Sequence, residues 1–290
     1  MSRGGSGPRT HEAWVWAVAA ALDAGACAPP LAGRPTTLDA PTIVAVVAEP
    51  PEARPGGSVT YRAVVGSPEG RIDQLPLAWS ACTTPRPLGD EGVIDPRCLV
   101  DVAARATLTG TGTTATGQMP AAACRIFGPE PPPGDFRAAD PDATGGYYQP
   151  ILVQGLDPEV VFGHRVRCGV PRAPTPVAAA FERGYVENRA PRIETLSFED
   201  GRLRLSLAPE AAERYARLSP GADAVEEATE RVTMAWRVSR GALAEGRADV
   251  RFTGADGARA EVEWTDGEGG TAWAVVRDDR GGVAVAELRR

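Results

Sequence analysis

Lysine is missing altogether: in 290 residues every basic side chain is arginine apart from two histidines, the composition of a GC-rich genome. Histidine is almost as scarce. If the first 26 residues are removed as a leader, His164 alone remains, which excludes any site needing two imidazole ligands, H-E-x-x-H zinc centres included. A Ser-His-Asp triad would have to use His164. Yet FGHRVRC around it reads as strand and no G-x-S-x-G elbow occurs, so a structural histidine is expected. Closely spaced C-x-x-C pairs, the usual zinc spacing, are also missing. The Gly-rich GTGTTATG lacks G-K-[ST] and a following helix, so it reads as a turn or a Thr-rich strand rather than a phosphate loop. A net charge of −7 without a basic stripe argues against nucleic acid as a partner. Aromatics are sparse at 6%, while 33 Gly and 27 Pro make up about a fifth of the chain, which favours many turns over long helices.

Long apolar runs are missing too. The strongest near the start, AWVWAVAAAL (Ala13–Leu22), is about half the ~20 residues that a membrane-crossing helix needs. With Arg3 and Arg9 before it and small residues after it, it fits the apolar core of a secretory signal. The residues Ala24-Gly25-Ala26 before Cys27 resemble the lipobox of bacterial lipoproteins, with Ala24 where that family prefers Leu and Asp23 close to the cut. The resemblance implies acylation of the Cys27 thiol. The same residues also read as an A-x-A site for ordinary signal peptidase, which would leave a secreted protein. Residues 1–26 are thus expected to be a signal peptide and 27–40, rich in Pro, a tether.

Setting Cys27 aside leaves Cys82, Cys98, Cys124 and Cys168, an even number that suits an oxidising compartment. Four cysteines allow three pairings. The favoured one joins Cys82 to Cys98, closing a loop rich in Pro and Gly, and Cys124 to Cys168, tying a long insertion to a strand.

After the tether the chain reads as all-β, in two sandwich domains at 41–186 and 187–290. Val59, Tyr61, Ala63 and Val65 alternate with Thr60, Arg62 and Val64, the period of a half-buried strand. "PPEARPGGSVTYRAVV" resembles the first two strands of bacterial Ig-like domains, and Trp79 in LPLAWSAC falls on the third strand, where Ig-like sandwiches seat a core aromatic. From about 83 to 146 the composition is that of loops, an irregular insertion and the first place to look for binding. In the second domain Leu203, Leu205 and Leu207 alternate, and PEAAERYARLS (Pro209–Ser219) is expected to form a short inserted helix. "TAWAVVRDDRGGVAVAEL" resembles the last two strands of Ig-like and PKD-type bacterial surface domains, although the W-x-F-G-D-G element of PKD domains is absent.

Asp90, Glu91 and Asp95, Asp140 and Asp142, and Asp278 and Asp279 could offer oxygens to Ca²⁺. None has EF-hand spacing, so they read as solvated turn acids, and no metal, cofactor or catalytic residue is expected. The expected function is non-catalytic: a structural or protein-interaction lipoprotein of the bacterial cell envelope. It would be anchored to the outer membrane by an N-terminal lipid and would engage another envelope protein. The alternative is a glycan or small-ligand module using the insertion with Tyr147 and Tyr148, although adjacent strand residues point to opposite faces.

Overall fold

A computed structural model describes residues 36–85, 94–110, 112–128, 143–221, 223–250, 252 and 257–290. Cys27, the leader and most of the tether lie outside the described residues.

The first sandwich contains β1 (Thr42–Glu49), β2 (Glu52–Ala53), β3 (Ser58–Ser67), β4 (Gly70–Ile72), β5 (Ala78–Cys82), β6 (Arg105–Thr107), β7 (Thr114–Gln118), β8 (Gly146–Gln154) and β9 (Val160–Arg167). One sheet centres on β3, which pairs antiparallel with β1, β4 and β7; the facing sheet has the order β2-β9-β8-β5-β6, with β2 parallel to β9. Alternation sets the core. Val59, Tyr61, Ala63 and Val65 point inward from β3 onto Trp79 of β5, whose ring stacks on Tyr61 at 6.2 Å and whose indole donates to the Gly112 carbonyl at 2.9 Å. The segment expected to be an irregular insertion is partly structural: β6 adds a strand beside β5, and the Thr-rich β7 adds one beside β3. Both are too short for alternation to reveal them, and β7 is besides rich in Thr and Gly. The same segment holds two four-residue helices, α1 (Arg97–Val100) and α2 (Ala123–Ile126). A longer helix, α3 (Thr175–Gly184), follows β9, with a Pro in its first turn and Phe181 fully buried.

The second sandwich contains β10 (Ile193–Glu199), β11 (Arg202–Leu207), β12 (Arg214–Leu218), β13 (Val225–Thr229), β14 (Val232–Val238), β15 (Ala242–Leu243), β16 (Arg247–Val250), β17 (Ala258–Thr265), β18 (Thr271–Arg277) and β19 (Val283–Arg289). The sheet β10-β11-β17-β15 faces the sheet β16-β14-β18-β19, the strand partition of an Ig-like sandwich. Leu203, Leu205 and Leu207 meet Trp236 and Trp264 in its core. The expected helix over Pro209–Ser219 is not formed. A single 3₁₀ turn at Pro209–Ala211 leads into β12, which pairs antiparallel with β13 as a two-stranded hairpin. The charges at helical spacing serve a strand instead: Arg214 pairs across the hairpin with Glu227 and Arg217 with Glu226, while Ala216 and Leu218 bury against Phe181 of α3.

The two sandwiches join face to face. Ala45 of β1 and Val64 of β3, on the outer side of their sheet, pack with Trp273, Val275 and Val283 of β18 and the start of β19. This explains why Val64 is as buried as its inward-pointing neighbours and why β18 is buried on both sides. Close approach demands Gly66, where a Cβ would stand 2.6 Å from Leu38 and 2.9 Å from Trp273. Each sandwich also lends the other an arm. Residues 36–38, the end of the expected tether, run parallel to β14: Leu38 donates to the Val238 carbonyl, and Val238 to that of Thr36, both at 2.9 Å. In return the β12–β13 hairpin reaches over α3, and the Leu218 amide donates to the Ala143 carbonyl at 2.8 Å. Residues 36–290 form one compact unit.

Candidate functional site

The two disulfides join Cys82 to Cys98, with Cα atoms 5.7 Å apart, and Cys124 to Cys168, at 5.3 Å. The first fastens α1 to the end of β5, over a small core of Cys82, Cys98, Ile94 and Ala104. Asp95 braces the same turn. Its buried carboxylate accepts the Arg97 amide at 2.9 Å and pairs with the exposed Arg97 guanidinium at 2.6 Å, which holds the acid below the usual carboxylate range. The Asp101 carboxylate caps the following 3₁₀ turn by accepting from the Ala103 amide at 2.8 Å. This braced turn presents Leu99, Val100 and Val102 to solvent at 41%, 82% and 77% exposure. Exposed apolar side chains scattered singly need no explanation, whereas three within four residues on one fastened turn form an apolar tip.

Tyr147 and Tyr148 part as adjacent strand residues must. Tyr147 is buried at 3%, while Tyr148 is 41% exposed with its hydroxyl 3.5 Å from Arg165 Nη1. Among the described residues, Tyr148 is the one aromatic side chain among the large apolar ones exposed to this degree. Beneath it Arg165 is fully buried. It donates to Glu52 at 2.8 Å and to the Thr144 hydroxyl and carbonyl at 2.9 and 3.0 Å, while Tyr185 donates to the other Glu52 oxygen. Burial, then the Glu52 charge, pushes the Tyr185 phenol up. A Cβ at Gly146 would collide with the Arg165 guanidinium, so glycine is required there.

His164 lies wholly inside the first sandwich, its Nδ1 2.7 Å from the Tyr61 hydroxyl. Burial pushes its pKa down to about 4, with the Pro50 carbonyl opposing, so it is neutral at physiological pH. Of the acid groups, Asp90, Glu91, Asp140 and Asp142 lie outside the described residues. Asp278 is not a solvated turn acid: it is buried at the turn after β18, where its Oδ1 accepts the amides of Arg280 and Gly282, both at 2.9 Å. Among the described residues no three Asp, Glu, His or Cys side chains are grouped to hold a metal.

The tip and the buried ions escaped sequence reasoning. DPRCLVDVAAR carries an apolar cluster inside loop composition, a signal that could have marked Leu99, Val100 and Val102. Arg165, with partners 113 and 21 residues away in sequence, leaves no local trace.

No protein-family model and no curated protein matches the sequence. Among solved structures, the chain is similar to a β-glucuronidase of Parabacteroides merdae at 11% identity and a TM-score of 0.21, over 87% of this chain and 25% of that one. A marsupial T cell receptor is similar at 9% identity and a TM-score of 0.20, over 88% and 99%. The CupB2 chaperone of Pseudomonas aeruginosa is similar at 12% identity and a TM-score of 0.23, over 84% and 100%. The chain spans about a quarter of the length of the glucuronidase.

Proposed function

We propose that the protein is a non-catalytic lipoprotein of the bacterial cell envelope, acylated at Cys27, that presents the Leu99–Val100–Val102 tip to another envelope protein. The observation that carries the reading is the tip itself: apolar side chains held out to solvent by a disulfide and by the buried Asp95 carboxylate with its exposed Arg97 partner. A rigid, desolvation-ready apolar patch is what protein interfaces place at their centre. Two disulfides support an exported protein, since such bonds persist in oxidising compartments. The β-sandwich supplies a stiff body, with the chain's lipid-linked end as its attachment.

Both halves have a direct test. A photo-crosslinking residue at Val100 is expected to capture a defined envelope protein in intact cells, and Val100→Asp to abolish productive association. A crosslink pattern no different from one placed at exposed Arg202 would overturn the docking role. Labelling cells with a palmitate analogue should mark the wild type and miss Cys27→Ala; equal labelling would rule out the lipid at that residue.

A further inference from the structure

The hairpin β12–β13 is a two-stranded sheet of its own, and its two outer edges differ. Its ladder is bracketed by the Glu230 amide donating to the Glu213 carbonyl and the Ser219 amide donating to the Ala224 carbonyl. Within that register Tyr215 and Arg217 share their hydrogen bonds with Ala228 and Glu226, and the residues between them turn their backbone groups outward. On β12 the outer edge is engaged, since the Leu218 amide donates to the Ala143 carbonyl at 2.8 Å. On β13 the outward amides and carbonyls of Val225, Glu227 and Thr229 have no partner among the described residues. Such a row of unpaired rungs is a template for one more strand.

The template is firm, whereas a hairpin with nothing behind it is marginal in water. Ala216, Leu218 and Val225 pack with Phe181, Val177 and Ala178 of α3. The base is clamped by the buried Arg280, which donates through Nη2 to Glu213 at 2.8 Å and through Nε to Glu230 at 2.6 Å and lies over the Tyr215 ring at 4.6 Å. An edge fixed before binding spares the partner the cost of ordering it. The charged side chains along the edge are of one sign. Glu226 and Glu227 point to opposite faces of the ribbon, and each is held through Oε1 alone, to Arg217 at 2.8 Å and to Arg214 at 3.2 Å on the far strand. Their Oε2 atoms have no partner among the described residues. β13 bears no basic side chain, and exposed Asp223, bonded to Ser219, adds an acid just before it.

We propose that β13 is a docking edge for a partner protein, which adds an extended strand carrying two neighbouring basic residues. The added backbone completes the rungs at Val225, Glu227 and Thr229. Its basic side chains, one on each face, meet the open Oε2 atoms of Glu226 and Glu227, so that each glutamate lies between an arginine of β12 and a cation of the partner. A second copy of this chain is a poor occupant. Antiparallel pairing of two β13 edges through all three rungs sets Glu227 against Glu227, and like charges directly opposite each other are destabilising. The charges that discourage self-pairing thus select a basic strand. This edge lies in a different sandwich from the Leu99–Val100–Val102 tip and stands independently of it.

The probe is a synthetic peptide of alternating valine and threonine with two adjacent arginines at its centre and both ends blocked. With the full chain, fluorescence anisotropy should show saturable binding. Hydrogen exchange should show the Val225, Glu227 and Thr229 amides slowed about tenfold or more by the peptide, and the Leu218 amide unchanged. The same peptide, methylated at the backbone nitrogens that face β13, is expected to bind about tenfold or more weakly, because it keeps the charges and loses the donors. Two glutamates in place of the arginines should abolish binding. Binding without slowing of the three amides, equal affinity for the methylated peptide, or no binding at about 1 mM overturns strand addition at β13. Equal affinity for the glutamate peptide overturns the basic partner. Dimers of the chain alone, forming with concentration and slowing the same three amides, would make a second copy the occupant and overturn the proposal.

Discussion

At the scale of single residues, the second of the two histidines is the one whose titration can be read from its surroundings. The Tyr61 hydroxyl, also held neutral by burial, lies 2.7 Å from His164 Nδ1, a hydrogen bond whose direction follows the imidazole tautomer. Charging this ring inside the sandwich is opposed by desolvation, and its folded pKa of about 4 lies below the ordinary 6.5. The folded form thus binds fewer protons than the unfolded form in that interval. Its contribution to stability is present above about pH 6.5 and is lost as pH falls toward 4, reaching about 3 kcal/mol. In urea titrations at pH 7 and 4.5 the wild type is expected to lose about 2 kcal/mol more than His164→Phe. Parallel losses in the two proteins would show that His164 is not the acid-sensitive group. The carboxylates Glu230 and Asp278 work in the opposite direction, since their raised pKa values cost stability as pH rises through about 6 to 7.

At the scale of elements, α1 and the hairpin show how little local sequence decides. A four-residue helix cannot stand alone, because nucleation costs more than one turn of hydrogen bonds returns. The Cys82–Cys98 bond, closing a separation of 16 residues, does the holding. Replacing both cysteines by alanine is expected to cost about 3 kcal/mol by the loop-closure argument. The measurable accompaniment is a looser tip: protease cleavage near Val100 should accelerate in the variant, and unchanged cleavage would mean that Asp95 and the small core suffice. The β12 segment makes the converse point. PEAAERYARLS is compatible with a helix by its charges, and it becomes a strand because β13 offers it Glu226 and Glu227 and α3 offers it Phe181.

At the scale of the whole molecule, the sandwiches share a core rather than a linker. Leu38, Val64 and Trp273 come from the expected tether, the first sandwich and the second. Inter-domain surfaces that are apolar and continuous suppress independent motion. Calorimetry is expected to show one unfolding transition for residues 36–290, and Leu38→Ala to lower it by about 2 to 5 kcal/mol while leaving it single. Two transitions in the wild type, one per sandwich, would contradict the shared core.

Much of this was legible in the sequence. Period-two alternation marked Val59, Tyr61, Ala63, Leu203, Leu205 and Leu207 as inward-facing, because a strand with one wet face must sort its side chains locally, and the resemblance to Ig-like domains implied Trp79 as a core residue. The even cysteine count and loop compositions favoured the two disulfide pairs that are present. Alternation says that a strand has two faces, however, and cannot say that the second is covered by another domain. Tertiary structure alone decided the burial of Val64 and Trp273, the meeting of Glu213, Glu230 and Arg280, and the choice of hairpin over helix. Each depends on contacts between segments far apart in the chain, whose energy no local pattern carries.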